Sequence, residues 1–379
     1  MPIDDLEESA SLEVVNLVLR KISMGEQVFS LAVGEPVFDT PPEIVEAAIQ
    51  GMKKGMTHYT SSLGIPEVRE AIVGKVRRKN GIKCLVDNTM FVSSKMAIYG
   101  VFMALNAGAR NEILIPDPGY FYREPAILAG LKPVPYPLKD DYSLDMGAIR
   151  KLISTRTAGI IINTPSNPTG KVYSRNELTE LFKICHDAGI RIISDEAYED
   201  LVYSGSHFSI GSLENEPDAV ISIFTLSKSY AMTGWRAGYI VADRTIINRV
   251  LKFVEHAFTC FPPFIQYASA FALQNMDTAV KRFREQFLER RDYILARLRE
   301  IDSFTVNAVD GAFYVFPKFR QKMESKRLAN LLLEKENVAI LPGSAFGSRG
   351  EGHVRISYSG SLESIGAGMD RLEKFMKTI

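Results

Sequence analysis

The chain has 379 residues, of which 46% are hydrophobic and 24% charged, so it can bury a large core and is long enough for two domains. Forty-five basic and forty-five acidic residues leave no net charge, which gives no electrostatic argument for binding nucleic acid or an anionic membrane. This composition favours a globular protein that acts on small molecules.

The N-terminal segment MPIDDLEESA is acidic and lacks the charged-then-apolar pattern of a signal peptide, and no apolar run is long enough to span a bilayer. Cys84, Cys185 and Cys260 are scattered without metal-binding spacing, and the five histidines form no metal motif. We therefore predict a cytoplasmic protein with reduced thiols, no membrane segment and no metal site.

Short apolar strands alternate with helical stretches through the middle of the chain, which predicts an α/β domain with a mainly parallel sheet. The predicted strands are 113–115, 159–162, 191–194, 220–224 and 238–241. Between the second and third strands, Ser174 and Glu177 form a capping box for a helix that Gly189 ends. A charged helix from Thr278 to Arg299 is expected to lead into a smaller domain.

A polar loop, NTPSNPTG at residues 163–170, follows the second of these strands. Asn167 can donate its side-chain amide to a phenolate-like oxygen, and the flanking prolines stiffen the backbone that carries it. Taken alone, the segment is also typical of an ordinary turn rich in proline and asparagine.

A second polar run, IRIISDEAY at residues 190–198, again follows an apolar, β-branched strand. Polar groups at the end of such a strand belong to a crevice, which is where we expect Asp195 and Tyr198. If a pyridine ring binds in this crevice, an ionised Asp195 can keep the ring nitrogen protonated. Tyr198 and Asn167 can then both form hydrogen bonds with a hydroxyl oxygen of the same ring. The alternatives are a helix N-cap for Asp195 and core packing for Tyr198.

The most informative run is FTLSKSYAMTGWRAGY at residues 224–239, because it places Lys228 among hydroxyls, small residues and an arginine. A lysine amine attacks carbonyls only when deprotonated, and it can anchor pyridoxal phosphate as a Schiff base. Thr225, Ser227 and Arg236 lie close enough in sequence to converge on a phosphate. A solvated lysine in a polar loop is the alternative.

Further runs occur in a fixed order around these three. They are GEP at 34–36, FDTP at 38–41, YTSSLGIPEVR at 59–69, DPGY at 117–120, GAFY at 311–314, LPGSAFG at 341–347 and VRISYS at 354–359. With them, nearly the whole chain resembles the fold-type I pyridoxal phosphate enzymes, and specifically the class I and II aminotransferases of the aspartate aminotransferase superfamily.

The resemblance implies an architecture in two parts. A large cofactor-binding domain at 41–275 would hold a mainly parallel seven-stranded sheet in an α/β/α sandwich. A smaller α+β domain would combine both chain ends, 1–40 and 276–379.

The resemblance also implies roles for particular residues. Lys228 is expected to be the Schiff-base lysine and proton carrier, with Asp195 and Tyr198 as the other catalytic groups. The remaining expected cofactor contacts are Asn167 on the ring oxygen, Tyr120 on the ring face, Thr225 and Arg236 on the phosphate, and Tyr59 on the phosphate of a neighbouring subunit. The role of Tyr59 implies a homodimer with shared active sites. Arg355 would bind the substrate α-carboxylate, with Gly34 and Asn167 beside it.

One segment departs from the family pattern. The phosphate loop usually carries glycine before its helix, whereas here it reads VSSKMAIYG at residues 92–100. Ser93, Ser94 and Lys95 remain candidates, because a helix N-terminus binds phosphate through backbone N–H groups and serine hydroxyls add donors. The sequence does not decide which of the three contacts phosphate.

The expected reaction is ping-pong transamination between an L-amino acid and a 2-oxo acid. Aspartate with 2-oxoglutarate is the first candidate pair, followed by aromatic or kynurenine-type donors. The run TCFPPF at 259–264 favours an apolar or aromatic donor, although such residues are also ordinary core. A C–S β-lyase on the same scaffold is an alternative reaction, and a non-enzymatic regulatory protein is the third possibility.

Overall fold

The computed structural model describes residue 6, residues 10–106 and residues 108–379. Residues 1–5 and 7–9, which belong to the predicted small domain and to the N-terminal segment discussed above, lie outside the described residues. The helices are α1 (Ala10–Ser23), α2 (Pro42–Lys53), α3 (Pro66–Lys75), α4 (Ser94–Leu105), α5 (Arg123–Leu128), α6 (Met146–Leu152), α7 (Arg175–Ala188), α8 (Leu226–Ser229), α9 (Arg244–Ala257), α10 (Pro263–Asn275), α11 (Asp277–Arg299), α12 (Ser325–Glu336) and α13 (Leu362–Met376).

The strands form one large sheet and several short pairings. They are β1 (Phe29–Ser30), β2 (Thr89–Phe91), β3 (Glu112–Asp117), β4 (Lys132–Pro137), β5 (Thr157–Asn163), β6 (Arg191–Asp195), β7 (Val220–Thr225), β8 (Gly238–Val241), β9 (Phe304–Thr305), β10 (Tyr314–Val315), β11 (Lys318–Phe319), β12 (Val338–Ala339), β13 (Leu341–Pro342) and β14 (Val354–Ser357). The large sheet has seven strands in the order β2-β8-β7-β6-β5-β3-β4. Four of its six strand pairings are parallel, and the two antiparallel pairings both involve β8. This confirms the predicted mainly parallel sheet.

The central strands are buried on both faces: every residue of β3, β5 and β7 is buried, and successive side chains of a strand point to opposite sides. On β5, Ile161 packs into a core with α2, α3, α4, α9 and α10, whereas Ile160 and Ile162 pack into a second core with α6 and α7. A strand buried on both faces reads as a continuous apolar run, as this one does. The helices on both sides complete the predicted α/β/α sandwich.

Local signals in the sequence fix helix α7. The Ser174 backbone N–H donates to the Glu177 carboxylate at 2.9 Å, and the Glu177 backbone N–H donates to the Ser174 hydroxyl at 3.3 Å. Gly189 ends the helix in a left-handed conformation with φ 61°, which glycine adopts without steric cost. The capping box and the C-cap are therefore confirmed. The charged helix predicted from Thr278 is confirmed as α11.

The two ends of the chain pack together around a third core. Strand β1 pairs in parallel with β12, so Phe29 lies opposite Val338, and β14 pairs antiparallel with both β10 and β13. The core between these strands and helices α11, α12 and α13 contains Leu31, Phe287 and Met369. Within the residues that the structure describes, no helix combines the length and apolarity needed to cross a bilayer.

Candidate active site

The carboxyl ends of three neighbouring strands meet at one cavity of about 850 Å³. Asn163 and Asp195 are register partners at the ends of β5 and β6, and Thr225 ends β7 beside them. Ligands of open α/β sheets bind in such a crevice. The predicted site residues that line the cavity are Gly34, Ser94, Lys95, Tyr120, Asn167, Asp195, Tyr198, Thr225, Lys228, Arg236 and Arg355.

Lys228 lies in the short helix α8, directly after β7, and its amine projects into the cavity. The amine donates a hydrogen bond to the backbone carbonyl of Gly34 at 2.7 Å. Burial lowers the pKa of Lys228 from 10.5 to about 8, and the nearby guanidinium groups of Arg355 and Arg236 act in the same direction, whereas Glu35 opposes them. A substantial fraction of this amine is therefore neutral near pH 8, as a nucleophile requires.

Asp195 is 5% exposed and receives two hydrogen bonds. The Tyr122 hydroxyl donates to Oδ2 at 2.7 Å, and the Ala197 backbone N–H donates to Oδ1 at 3.2 Å. Burial nevertheless raises the pKa of Asp195 to about 6, against the effect of both donors. Tyr122 was missed by sequence reasoning, since a tyrosine two residues after Tyr120 carries no signal that it reaches a carboxylate on another strand.

A chain of side chains links Arg355 to Tyr198. Arg355 Nη1 donates to Asn167 Oδ1 at 3.1 Å, and Asn167 Nδ2 lies 3.5 Å from the Tyr198 hydroxyl. The other terminal nitrogen of Arg355 donates to the Ala32 carbonyl. The buried Nε of Arg355 has no hydrogen-bond partner among the described residues. A buried guanidinium held this way suits an incoming carboxylate.

Gly34 is required by a side chain that sequence reasoning did not assign to the site. A Cβ atom built on Gly34 would lie 1.9 Å from the Tyr314 hydroxyl, a contact that no real structure tolerates. The close approach of Gly34 to the substrate carboxylate stays a prediction, and the structure adds the close approach to Tyr314 as a reason for glycine at this position.

The same cavity offers donors for a phosphate. Ser94 and Lys95 lie at the N-terminal end of α4, where backbone N–H groups are unpaired within the helix. The Thr225 hydroxyl accepts from the Ser227 backbone N–H at 3.2 Å and so begins α8. Arg236 has a left-handed backbone with φ 57°, which is uncommon for a residue with a Cβ atom.

Three predicted features lie away from this cavity. Ser93 precedes α4 and is buried, but it does not line the cavity. Tyr59 is 88% exposed and does not line it either. In the TCFPPF run, Phe261 packs edge-on against Phe91 in the core, with ring centroids 5.8 Å apart. Phe261 therefore belongs to the core, whereas Thr259 at the start of the run is exposed, and the donor preference drawn from the run stays a prediction.

A second polar cluster lies behind the site. The ligand atoms of Glu196, Glu199 and His207 all lie within 4.8 Å of one another, a grouping with metal-ligand chemistry that the sequence spacing did not indicate. Lys75, however, is 1% exposed and donates to both Glu199 and Asn80. Because this ammonium already supplies the positive charge, we assign the cluster a structural role.

The raised pKa of Asp195 predicts a stabilising substitution. The folded protein without cofactor holds this proton more tightly than the unfolded chain, so the contribution of Asp195 to stability falls as pH rises from about 4 to about 6. Asp195→Asn removes the titrating group, and above pH 6 we expect the cofactor-free variant to gain at most about 3 kcal/mol, less the cost of the one hydrogen bond that a single amide oxygen cannot accept. Thermal midpoints measured from pH 4 to pH 8 test this.

Asp200→Asn is the matched control, because burial raises the pKa of Asp200 but attraction from Lys75 and Lys79 outweighs it and lowers the pKa overall. That variant should lose stability above pH 4 instead. Parallel pH profiles for wild type and Asp195→Asn would contradict the prediction.

Comparison with known proteins agrees with this geometry. Residues 26–372 match the family described as aminotransferase class I and II. An aspartate aminotransferase from Pyrococcus abyssi is 38% identical over 362 residues, covering 93% of this chain and 92% of that protein. An aromatic-amino-acid aminotransferase 2 from Thermococcus litoralis is equally similar, at 38% identity over 93% of this chain and 92% of that protein.

Solved structures give the same result. Thermus thermophilus aspartate aminotransferase with maleate has a TM-score of 0.94 at 31% identity and covers 98% of both chains. An aromatic aminotransferase from Pyrococcus horikoshii has a TM-score of 0.89 at 37% identity, covering 95% of this chain and 99% of that one.

The fold and the residues that meet in the cavity define a pyridoxal phosphate-dependent enzyme of fold type I. Three features fit that cofactor. Lys228 has a lowered pKa, the carboxylate of Asp195 is buried at the end of the neighbouring strand, and the N-terminus of α4 offers donors for a phosphate. More specifically, the chain belongs to the class I and II aminotransferase family and is an aminotransferase, as its resemblance predicted.

Proposed function

We propose that the enzyme transfers an amino group from an L-amino acid to a 2-oxo acid in two half-reactions, with Lys228 as the group that moves the proton. The observation that carries this proposal is the position of Lys228 and Asp195 on neighbouring strand ends of one cavity. Pyridoxal phosphate, when bound, supplies an electron sink for the substrate α-carbon. The lowered pKa of Lys228 suits its amine to accept and return a proton near neutral pH.

We assign the cofactor contacts by chemistry. Asp195 would face the pyridine nitrogen, where an ionised carboxylate favours the protonated ring, and Asn167 with Tyr198 would donate to the ring oxygen. Tyr120 would pack on the ring face. The phosphate would be held by Ser94, Thr225 and Arg236, while Ser93 and Lys95 are weaker candidates because Ser93 is outside the cavity lining and Lys95 is exposed.

Arg355 is our candidate for binding the substrate α-carboxylate. The residue is 4% exposed and lines the cavity, and its guanidinium keeps a buried Nε–H without a partner among the described residues. Gly34 contributes its backbone carbonyl to Lys228, so the substrate end and the lysine end of the cavity meet at this residue.

The amino donor is proposed to be aspartate, with 2-oxoglutarate as the acceptor. Several similar proteins are named aspartate aminotransferase, and two further basic side chains, Lys95 and Arg123, line the cavity where a second carboxylate could bind. An aromatic donor is the second candidate, because the stacked rings of Phe121 and Phe346 give the same cavity an apolar wall. Kynurenine-type donors belong to that second class.

We also propose a homodimer in the cytoplasm. Tyr59 is far more exposed than a phosphate ligand of its own cavity should be, and Met52 and Phe258 are exposed apolar side chains as well. A second copy that covers these residues would bring Tyr59 to its partner's site. The three thiols are unpaired, which agrees with a reducing compartment.

We further propose the domain division given by the sequence, with residues 41–275 as the large domain and 1–40 with 276–379 as the small one. The core around α11, α12 and α13 supports it, because most of its members come from the two chain ends, although Tyr198, Leu201 and Ala231 of the large domain also pack into it.

A screen of half-reactions tests the proposed function. The holoenzyme is mixed with single amino acids without any oxo acid, and the visible absorbance of the bound cofactor is followed. Aspartate should discharge the absorbance with stoichiometric oxaloacetate as product. Discharge by phenylalanine or tyrosine alone would favour the aromatic donor, and release of pyruvate and ammonia from a cysteine conjugate would indicate a β-lyase.

Arg355→Lys gives the screen its internal check. A lysine ammonium cannot form the two parallel hydrogen bonds that a guanidinium donates to a carboxylate. The specificity constant for every α-amino acid should therefore fall by roughly 10²-fold or more. Arg290→Lys is the control, since Arg290 is also buried and lies over the Phe38 ring at 4.6 Å, but outside the cavity. An unchanged specificity constant in Arg355→Lys would remove Arg355 from the site.

A further inference from the structure

Tyr314 lies against three residues of the proposed site, Tyr198, Arg355 and Gly34, although it has no role in the assignments above. Its hydroxyl lies 3.0 Å from the Tyr198 hydroxyl, and the Arg355 guanidinium lies over its ring at 4.3 Å from the centroid. The side chain is 2% exposed and lines the cavity. Its position on β10, paired with β14, places it on the strand next to Arg355.

The surroundings leave Tyr314 little freedom. The hydroxyl fills the space that the missing side chain of Gly34 leaves open. The ring packs edge-on against the Tyr198 ring, with centroids 5.7 Å apart, and against Phe313 at 4.8 Å. A buried aromatic side chain that is fixed by glycine on one side and by arginine on the other can serve as a rigid support for both neighbours.

Either hydroxyl can donate in the contact between Tyr314 and Tyr198, and the two directions differ in which proton they leave free. Burial raises the pKa of both Tyr198 and Tyr314, so each hydroxyl keeps its proton at working pH. Among the residues the structure describes, Tyr198 is the one hydrogen-bond partner of the Tyr314 hydroxyl. Donation from Tyr314 to Tyr198 satisfies this proton and leaves that of Tyr198 free for an acceptor in the cavity.

We propose that Tyr314 is a positioning residue that couples the carboxylate-binding arginine to the ring-oxygen tyrosine. Its hydroxyl donates to Tyr198 and strengthens the donation of Tyr198 to the cofactor ring oxygen, because hydrogen bonds in a chain polarise one another. Its ring holds the plane of the Arg355 guanidinium from one side, while Phe346 lies 5.1 Å from the same group. The proposal rests on the roles proposed above for Tyr198 and Arg355.

The hydroxyl and the ring act on different measurements, so two substitutions separate them. Tyr314→Phe keeps the ring and removes the donor. The visible absorbance of the resting holoenzyme is titrated with pH, and we expect the pKa of the chromophore to rise by roughly half to one pH unit, the worth of one neutral hydrogen bond. The KM for the amino donor should change little. Tyr314→Leu also removes the ring, and KM should rise roughly 5- to 30-fold as the cation–π contact is lost.

A double-mutant cycle tests the coupling itself. Tyr198→Phe removes the group through which Tyr314 acts, so adding Tyr314→Phe to that variant should produce no further change in the chromophore pKa. Tyr358→Phe is the matched control, because Tyr358 is an equally buried tyrosine whose hydroxyl donates to the Ala312 carbonyl at 3.2 Å, away from the cavity. It should leave both the chromophore pKa and KM at their wild-type values.

The outcomes distinguish this inference from the proposed function. A wild-type protein that gains no visible absorbance with pyridoxal phosphate would contradict the function itself. A coloured, active enzyme whose chromophore pKa is unmoved by Tyr314→Phe would overturn only the role of Tyr314. Equal changes in Tyr314→Phe and Tyr358→Phe, or an additive effect in the Tyr198→Phe background, would overturn it as well.

Discussion

Lys228→Ala is expected to abolish transamination, with turnover lower by at least about 10⁴-fold, because in the proposed mechanism Lys228 is both the acid–base group and the covalent anchor. Its amine is the cavity-lining lysine with the lowered pKa, and the residues around it converge on one small space. Stopped-flow and steady-state assays measure the loss of turnover. The visible absorbance after incubation with pyridoxal phosphate should change to that of free cofactor.

Lys228→Arg makes the same test more specific. Arginine keeps the positive charge, but its guanidinium cannot be deprotonated in a protein, so a charge without a transferable proton should be equally inactive. Lys171→Ala is the control, since Lys171 is half-buried but pairs with Asp141 and Asp310 outside the cavity. Activity and colour retained in Lys228→Ala would refute the assignment.

Lys75→Met is expected to cause the largest loss of stability, about 3–5 kcal/mol, because it leaves Glu199 buried with an uncompensated charge. Both side chains are almost fully buried, and the Lys75 ammonium also lies 4.6 Å from the centre of the Phe224 ring. Urea midpoints of the holoenzyme measure the loss. The turn that carries Tyr198 should also become less well ordered in this variant, since Glu199 is the next residue.

The double variant Lys75→Met with Glu199→Leu should recover a large part of that loss, because an apolar pair of similar size has no orphan charge. Lys374→Met is the control: Lys374 is 70% exposed and pairs with Glu336, so its loss should cost less than about 1 kcal/mol. A loss in Lys75→Met no larger than that of the control would show that the buried ion pair is energetically neutral.

Local patterns in the sequence were sufficient for the groups that stand at strand ends. Asp195 ends one apolar strand, and Asn167 and Lys228 follow two others. Because these strands are parallel neighbours, their carboxyl ends meet, so the grouping can be predicted without any information on distant contacts. The capping box of α7 is similarly local. Resemblance to the family added the seven-stranded sheet and Arg355, which no nearby pattern identifies.

Contacts between distant parts of the chain were out of reach of the sequence. Tyr122 bonds Asp195 across 73 residues, Tyr314 lies against Tyr198 across 116, and Lys75 pairs with Glu199 across 124. Each depends on which strands become neighbours and on the register between them. The contact of Gly34 with Tyr314 was out of reach for the same cause, because Tyr314 lies on a strand distant in sequence.

The site is assembled from segments that the ribosome synthesises at very different times. Strands β5, β6 and β7, with Lys228 after them, belong to a sheet that β8 completes, whereas β14 with Arg355 comes later in the chain. Domains generally fold as units during translation, N-terminal segments first. The segments that carry Asp195 and Lys228 can therefore form before β14, which carries the proposed carboxylate-binding Arg355, has been made, and β1 stays unpaired until β12 exists. With the roles proposed above, binding of the substrate carboxylate becomes possible only after the cofactor-binding strands have been made.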